Sequence, residues 1–277
     1  MSADSLPGDH ASVASALLGA IDYVELTVDE LAALSIDLDL AQTLGGPDVA
    51  VDPTSVDLIA ARRSLLSKNF ITGNEGTPEL QPWINVMVDV VDDPVLSIRM
   101  RRSTKEVSYA WTLFVDTDIG VQQQSGVDGV VVWAPFAPET AVDIMFDALH
   151  LVGTRSSSGF EFAMSLHELE ALDELAVARS ACPSQAPPSV VEYFAGLMSP
   201  ERALQMVSVV DRSDQIHRSG DLTWLDLGDA GYWAMTVPDD PSGQVFLRQV
   251  STTELLRDLF ALLPIDAEEV MTPPAVT

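Results

Sequence analysis

Two passages of the chain, about 114 residues apart, carry the same pattern. Residues 98–151 read as several short β-like runs closed by an amphipathic helix, and residues 207–263 repeat that order. Sliding one onto the other sets Trp111 against Leu225, Val132 against Phe246, Phe146 against Phe260 and Leu149 against Leu263. Few positions are identical, so what recurs is apolar periodicity, two in the strands and between three and four in the helices. That recurrence constrains the fold more than any other feature. It predicts an α+β class in which two related antiparallel β-meander-plus-helix halves form a central, pseudo-twofold sheet, rather than the alternating units of a parallel one.

With 277 residues, 47% of them hydrophobic, the chain has ample material for a core despite its charge. The charge is extreme: 42 Asp and Glu against 14 Lys and Arg give a net −28. Self-repulsion at that level favours a monomer or weak dimer and opposes binding to nucleic acid or to an anionic membrane. Cys182 is the single cysteine, so an intrachain disulfide is impossible and a reducing, cytoplasmic setting is expected. The N-terminal residues carry Asp4 and Asp9 where a signal peptide needs positive charge, and no apolar run is long enough for a membrane span.

The expected organisation is a loose lead-in over 1–20, one domain over 21–264 and a loose tail over 265–277. Within the domain, a first half (21–152) and a second half (206–264) flank a helical insert (153–205). Thr27 and Glu30 form a capping-box signature before Leu31, Leu34 and Leu38 at helical spacing. A second helix is expected over 54–70, and a third from Thr77-Pro78 to about Val91. Strands are expected over 95–101, 107–115, 119–123 and 130–135, with a closing helix over 138–151. In the insert, Phe160–Met164 reads as an edge strand, Ser165–Ala178 as a helix capped by Ser165 with Glu168, and Val190–Met198 as a short helix. Ser251 caps the last helix. Arg99, Arg101, Arg102 and Lys105 make a basic cluster that either neutralises neighbouring carboxylates or marks a contact loop for an acidic partner.

Chemistry-bearing motifs are scarce. His10, His150, His167 and His217 lie far apart, and Asp116-Thr117-Asp118-Ile119-Gly120 lacks the distal glutamate of a calcium loop and reads as a turn. There is no nucleophile elbow or phosphate-binding glycine motif, so no cofactor, metal or catalytic residue is assigned and the chain is not read as an enzyme. Carboxylates brought together only in space, as in a hydrolase, leave no mark in a sequence, and that alternative stays open. So does an acidic mimic that occupies a basic protein. The aromatic residues are few but concentrated: Trp224, Tyr232 and Trp233 in the second β block, Phe194 on the preceding helix. Adjacent Tyr232 and Trp233 point to opposite faces of a strand, so one of them is expected to face away from the core. With Met235, Leu197 and Met198 they form the candidate partner-binding surface.

Taken in order, VELTVDELAAL (24–34), AARRSLLSKNFI (60–71), TPELQPWINVMVDVVDDPVLSIRMR (77–101), LTWLDLGDAGYWAM (222–235) and STTELLRDLFALLP (251–264) resemble the EspG family, chaperones associated with type VII (ESX) secretion in actinobacteria. Trp224, Asp226 and Tyr232 agree with the family's W-x-D-T-x-x-G-R-Y turn, while Leu227, Ala230 and Gly231 replace its threonine, glycine and arginine. The resemblance implies an EspG-like pseudo-twofold fold with a helical subdomain. It also implies a cytosolic chaperone that binds the helical tip of a PE/PPE-type substrate and keeps it soluble. The client would sit against the second β block and residues 165–200.

Overall fold

The computed structural model describes residues 10–38, 57–74, 77–125, 129–151, 154–181, 190–197, 202–212, 218–237 and 243–264. The first half comprises α1 (His10–Ala20), β1 (Val24–Thr27), α2 (Val28–Asp37), α3 (Leu58–Ser67), β2 (Ile71–Asn74), β3 (Thr77–Leu80), α4 (Pro82–Asp92), β4 (Leu96–Ser103), β5 (Ser108–Val115), β6 (Gly120–Ser125), β7 (Val130–Phe136) and α5 (Ala141–Leu149). The second comprises β8 (Glu161–Ser165), α6 (Leu166–Glu170), α7 (Leu172–Ala181), α8 (Val190–Leu197), β9 (Ala203–Asp211), β10 (Arg218–Asp226), β11 (Tyr232–Thr236), β12 (Gln244–Val250) and α9 (Thr252–Leu262). The fold is mixed α+β with a large antiparallel sheet.

The repeat is visible in the strand order, which runs β1-β7-β6-β5-β4 in one half and β8-β12-β11-β10-β9 in the other. In each, a lone strand pairs antiparallel with the last strand of a meander. The bounds of β7 and β12 coincide at the offset read from the sequence. The structure also extends the repeat upstream. Val24–Leu34 and Phe162–Leu172 both run from lone strand into capped helix, and they share Glu30 with Glu168, Leu31 with Leu169, Ala33 with Ala171 and Leu34 with Leu172. Both carry a complete capping box, Thr27 with Glu30 and Ser165 with Glu168, and a third, Ser251 with Glu254, opens α9.

The described residues fall into two compact units. One is drawn from Met1–Arg99, Tyr109–Ala148 and Val210–Arg218, the other from Met100–Ser108, Leu149–Val209 and Ser219–Thr277. In the first unit, α1 to α4 bury Ala14, Leu17, Leu31, Leu34, Leu65, Ile84 and Met87 against Leu26, Val121, Val131 and Trp133 of the strands. The Trp133 indole Nε1–H donates to Gln123 Oε1 at 3.0 Å, so the polar tip of this fully buried ring is satisfied.

Three expectations need correction. Residues 10–20 are not a loose lead-in: they form α1, because Ala14 and Leu17 recur at helical spacing and both enter the core. The third helix starts at Pro82, not Pro78; Thr77–Leu80 pairs antiparallel with Ile71–Asn74 instead. Both prolines offer the same helix-start signal, and a proline is tolerated in a two-stranded ribbon where its missing N–H removes no required bond. The expected helix over 165–178 breaks at Ala171 into α6 and α7.

Glu30 ties the first capping box to α3. Its Oε2 accepts from the Thr27 backbone at 2.7 Å and from Lys68 Nζ at 2.7 Å. Burial pushes its pKa up, but hydrogen bonds from Lys68, Ser64 and Thr27, with the Lys68 charge, outweigh that and hold the carboxyl below its ordinary value. Its contribution to stability is therefore present above the unfolded-state pKa and lost as pH falls through the folded-state one. Glu30→Gln is expected to lower the unfolding free energy at neutral pH by about 1–3 kcal/mol. The deficit should shrink as urea denaturations are repeated at falling pH.

Candidate functional site

Register within the second unit sorts the side chains of β8, β10, β11 and β12 onto two faces. Leu225 opposes Trp233, Met235 opposes Leu247, and Leu247 opposes Phe162, which places these five on one face. Trp224, Ala234 and Arg248 share the other. The first face is covered by the helical insert, whose Leu172, Phe194 and Ala195 complete the core with Trp233, Leu225 and Leu247. Trp233 stacks on Phe162 at 5.4 Å between centroids and meets Phe194 edge-on at 5.1 Å, and its Nε1–H donates to Ala230 O at 3.1 Å.

The second face is covered too. α9 lies against β11. The Arg155 guanidinium lies 4.5 Å above the Tyr232 ring, pairs with Asp226 at 2.9 Å and donates to Gly228 O. Gly228 and Gly231 take positive φ (62° and 86°) in the hairpin between β10 and β11, a conformation that glycine adopts without a Cβ clash.

These coverings correct the expected exposure of the aromatic side chains. Trp224, Tyr232, Trp233 and Phe194 are all buried, and neither Tyr232 nor Trp233 turns to solvent. Alternation does send the two rings to opposite faces, but each face carries its own layer. Leu197 and Met235 are half-buried, at the margin of the aromatic core. Met198 lies outside the described residues, as do Cys182 and the tail 265–277.

What opens to solvent beside this core is a cleft of about 260 Å³. Leu169, Leu172, Leu204, Leu225 and Met235 give it an apolar lining, and Ser103, Thr104, Lys105 and Arg202 line it with polar groups. Thr104 pins the turn that carries Lys105, its backbone N–H donating to Val107 O at 2.8 Å and its Oγ1 accepting from Val107 N at 3.1 Å. Burial lowers the Arg202 pKa, yet a guanidinium stays charged there. The cleft thus joins apolar surface to two cations in a chain of net charge −28. Leu204 was missed in the sequence, though a signal existed. In β9, Ala203, Gln205, Val207 and Val209 are buried while Leu204 is 39% exposed, so a leucine stands out of phase with a buried glutamine.

No protein-family model matches the chain, and no curated protein matches it. Among solved structures it is similar to the Mycobacterium tuberculosis type VII secretion system chaperone EspG5 in complex with the PE25–PPE41 dimer. The match covers 87% of this chain and 97% of that one, at a TM-score of 0.52 and 11% identity. The chain has an EspG-like fold. In this EspG-like arrangement, Trp224, Asp226 and Tyr232 serve the hairpin core, and the guanidinium on Asp226 comes from Arg155, far away in sequence. The structural neighbour is a chaperone. Among the described residues no three His, Cys, Asp or Glu side chains are grouped to hold a metal ion, and no helix is long and apolar enough to cross a membrane.

Core and cleft residues should separate cleanly by mutation. Trp233→Ala empties the space between Phe162 and Phe194 and is expected to cost about 3–5 kcal/mol in urea denaturation. Leu204→Asp, at an exposed position, should stay within about 0.5 kcal/mol of the parent.

Proposed function

We propose that the chain is a type VII secretion-associated chaperone that binds the helical tip of a PE/PPE-type substrate in the cytoplasm and keeps it soluble, without catalysis. The observation that carries this reading is the EspG-like fold over 87% of the chain and 97% of a chaperone whose structure was solved with a PE–PPE dimer. The cleft supports it physically. Leu204, Leu169 and Met235 offer apolar area to a helix tip, and Lys105 and Arg202 offer charge to its polar residues. Met235 and Leu197 remain contact residues in this reading. Trp224, Tyr232, Trp233 and Phe194 act from beneath, as a stiff floor that keeps the cleft formed without a client. The acidic surface keeps such a chaperone apart from its own copies while an apolar cleft stays open.

The test is co-expression of the full chain with PE–PPE pairs encoded in the same genome, followed by size-exclusion chromatography with light scattering. A stable ternary complex is expected. Met235→Asp and Leu204→Asp should each weaken it by at least about tenfold while leaving the free chaperone folded. Failure to bind any such pair, or capture instead of a basic protein that moderate salt releases, would overturn the reading.

A further inference from the structure

The two terminal strands of the halves, β1 and β8, are protected very differently. At β1, Lys68 Nζ donates to Glu25 O at 3.0 Å and so occupies an edge carbonyl. At β8, the Gln249 N–H donates to Phe160 O at 2.9 Å, and the register pairs Leu247 with Phe162 and Val245 with Met164. Phe160, Phe162 and Met164 therefore turn their backbone groups toward β12, and Glu161, Ala163 and Ser165 turn theirs outward. The Ser165 N–H is taken by Glu168 Oε2 at 2.8 Å. The outward N–H and C=O groups of Glu161 and Ala163 have no partner among the described residues.

Such an edge is normally blunted by lysine, proline or a bulge, and β8 has none of these. It is flanked instead by apolar side chains, Phe160 at 53% exposure on one face and Phe246 at 56% on the other. Phe246 stands directly opposite Ala163, whose small side chain leaves open a cleft of about 500 Å³ that Leu222, Thr236 and Arg248 also line. Arg248 opposes Glu161 in register, but its guanidinium turns to Asp258 (3.6 Å) and Glu254 (3.7 Å) on α9. The exposed Glu161 carboxylate is left without an ionic partner among the described residues.

We propose that β8 is a second docking site, which takes an extended segment of a partner protein as an added antiparallel strand. This site rests on the strand edge alone and is independent of the client reading above. The segment exchanges backbone hydrogen bonds with Glu161 and Ala163. Antiparallel pairing reads three of its residues in order. The residue opposite Ala163 is large and apolar and leans over the cleft toward Phe246. The next is apolar and lies on the face of Phe160. The third, opposite Glu161, is basic. The chain's own tail, 265–277, contains no Lys or Arg and cannot supply that residue. A second β8 paired about Ala163 would bring Glu161 against a Ser165 whose N–H is already engaged, and in any register the pairing would set two acidic Glu161 strands together and join two bodies of net charge −28.

The probe is a fluorescein-labelled octapeptide with a phenylalanine–valine–lysine centre, titrated into the full chain by anisotropy, with amide exchange read by NMR. Binding is expected to slow exchange at the Glu161 and Ala163 amides. Changing the peptide lysine to glutamate should weaken binding by at least about tenfold. Ala163→Pro removes an outward N–H only, so it should abolish binding without disturbing the ladder to β12. Glu161→Lys should invert the peptide preference, which tests the site even where the proline variant fails to fold. Absence of peptide binding, binding that ignores the lysine-to-glutamate change, or equal binding to a folded Ala163→Pro would overturn the proposal. So would slow exchange at both amides in the peptide-free monomer, which would mean the chain covers its own edge. A dimer that Ala163→Pro dissociates would assign the edge to a second copy and overturn it equally.

Discussion

The stacking of Trp233 between Phe162 and Phe194 is the contact on which the rest of the second unit depends. It joins three segments far apart in sequence: the lone strand β8, the insert helix α8 and the meander strand β11. Aromatic pairs at these separations contribute beyond their buried area, and here they do so around one indole whose polar tip is also satisfied. With the insert fixed to that face, Leu169 and Leu172 come to stand over Leu225 and Met235, and a cleft exists. On the opposite face, Arg155 does the complementary work for Tyr232 and Asp226 through charge and ring contact rather than apolar packing.

Much of the scaffold was legible because its signals are local. Thr27 with Glu30, Ser165 with Glu168 and Ser251 with Glu254 each spell a helix start within four residues, and all three caps form. Strand β7 was legible as a short apolar run rich in β-branched valine, bounded by Gly129 and Pro138. The match of β1-α2 to β8-α6 was not seen, for a concrete reason. It lies at an offset of about 138, whereas the meanders repeat at about 114, so no single sliding aligns both. The start of α4 was misplaced because Pro78 and Pro82 offer the same local cue, and only the pairing of Ile71–Asn74 with Thr77–Leu80 separates them.

The candidate site was less legible than the fold. Aromatic concentration pointed to rings that the fold buries, since a sequence gives the alternation of Tyr232 and Trp233 and not what covers each face. Arg155 lies 71 residues before Asp226, and Lys105 and Arg202 come to line one cleft only through the folding of the second unit. The open backbone groups of β8 have no residue-type signature at all; they follow from strand order.

The burial of the tryptophans has an optical consequence. Trp133 is sealed in the first unit, and Trp224 and Trp233 are sealed in the second. Each unit thus holds at least one fully buried indole, beside the half-buried Trp83 and Trp111 of the first, so unfolding of either unit carries an intrinsic fluorophore from the protein interior into water and shifts its emission.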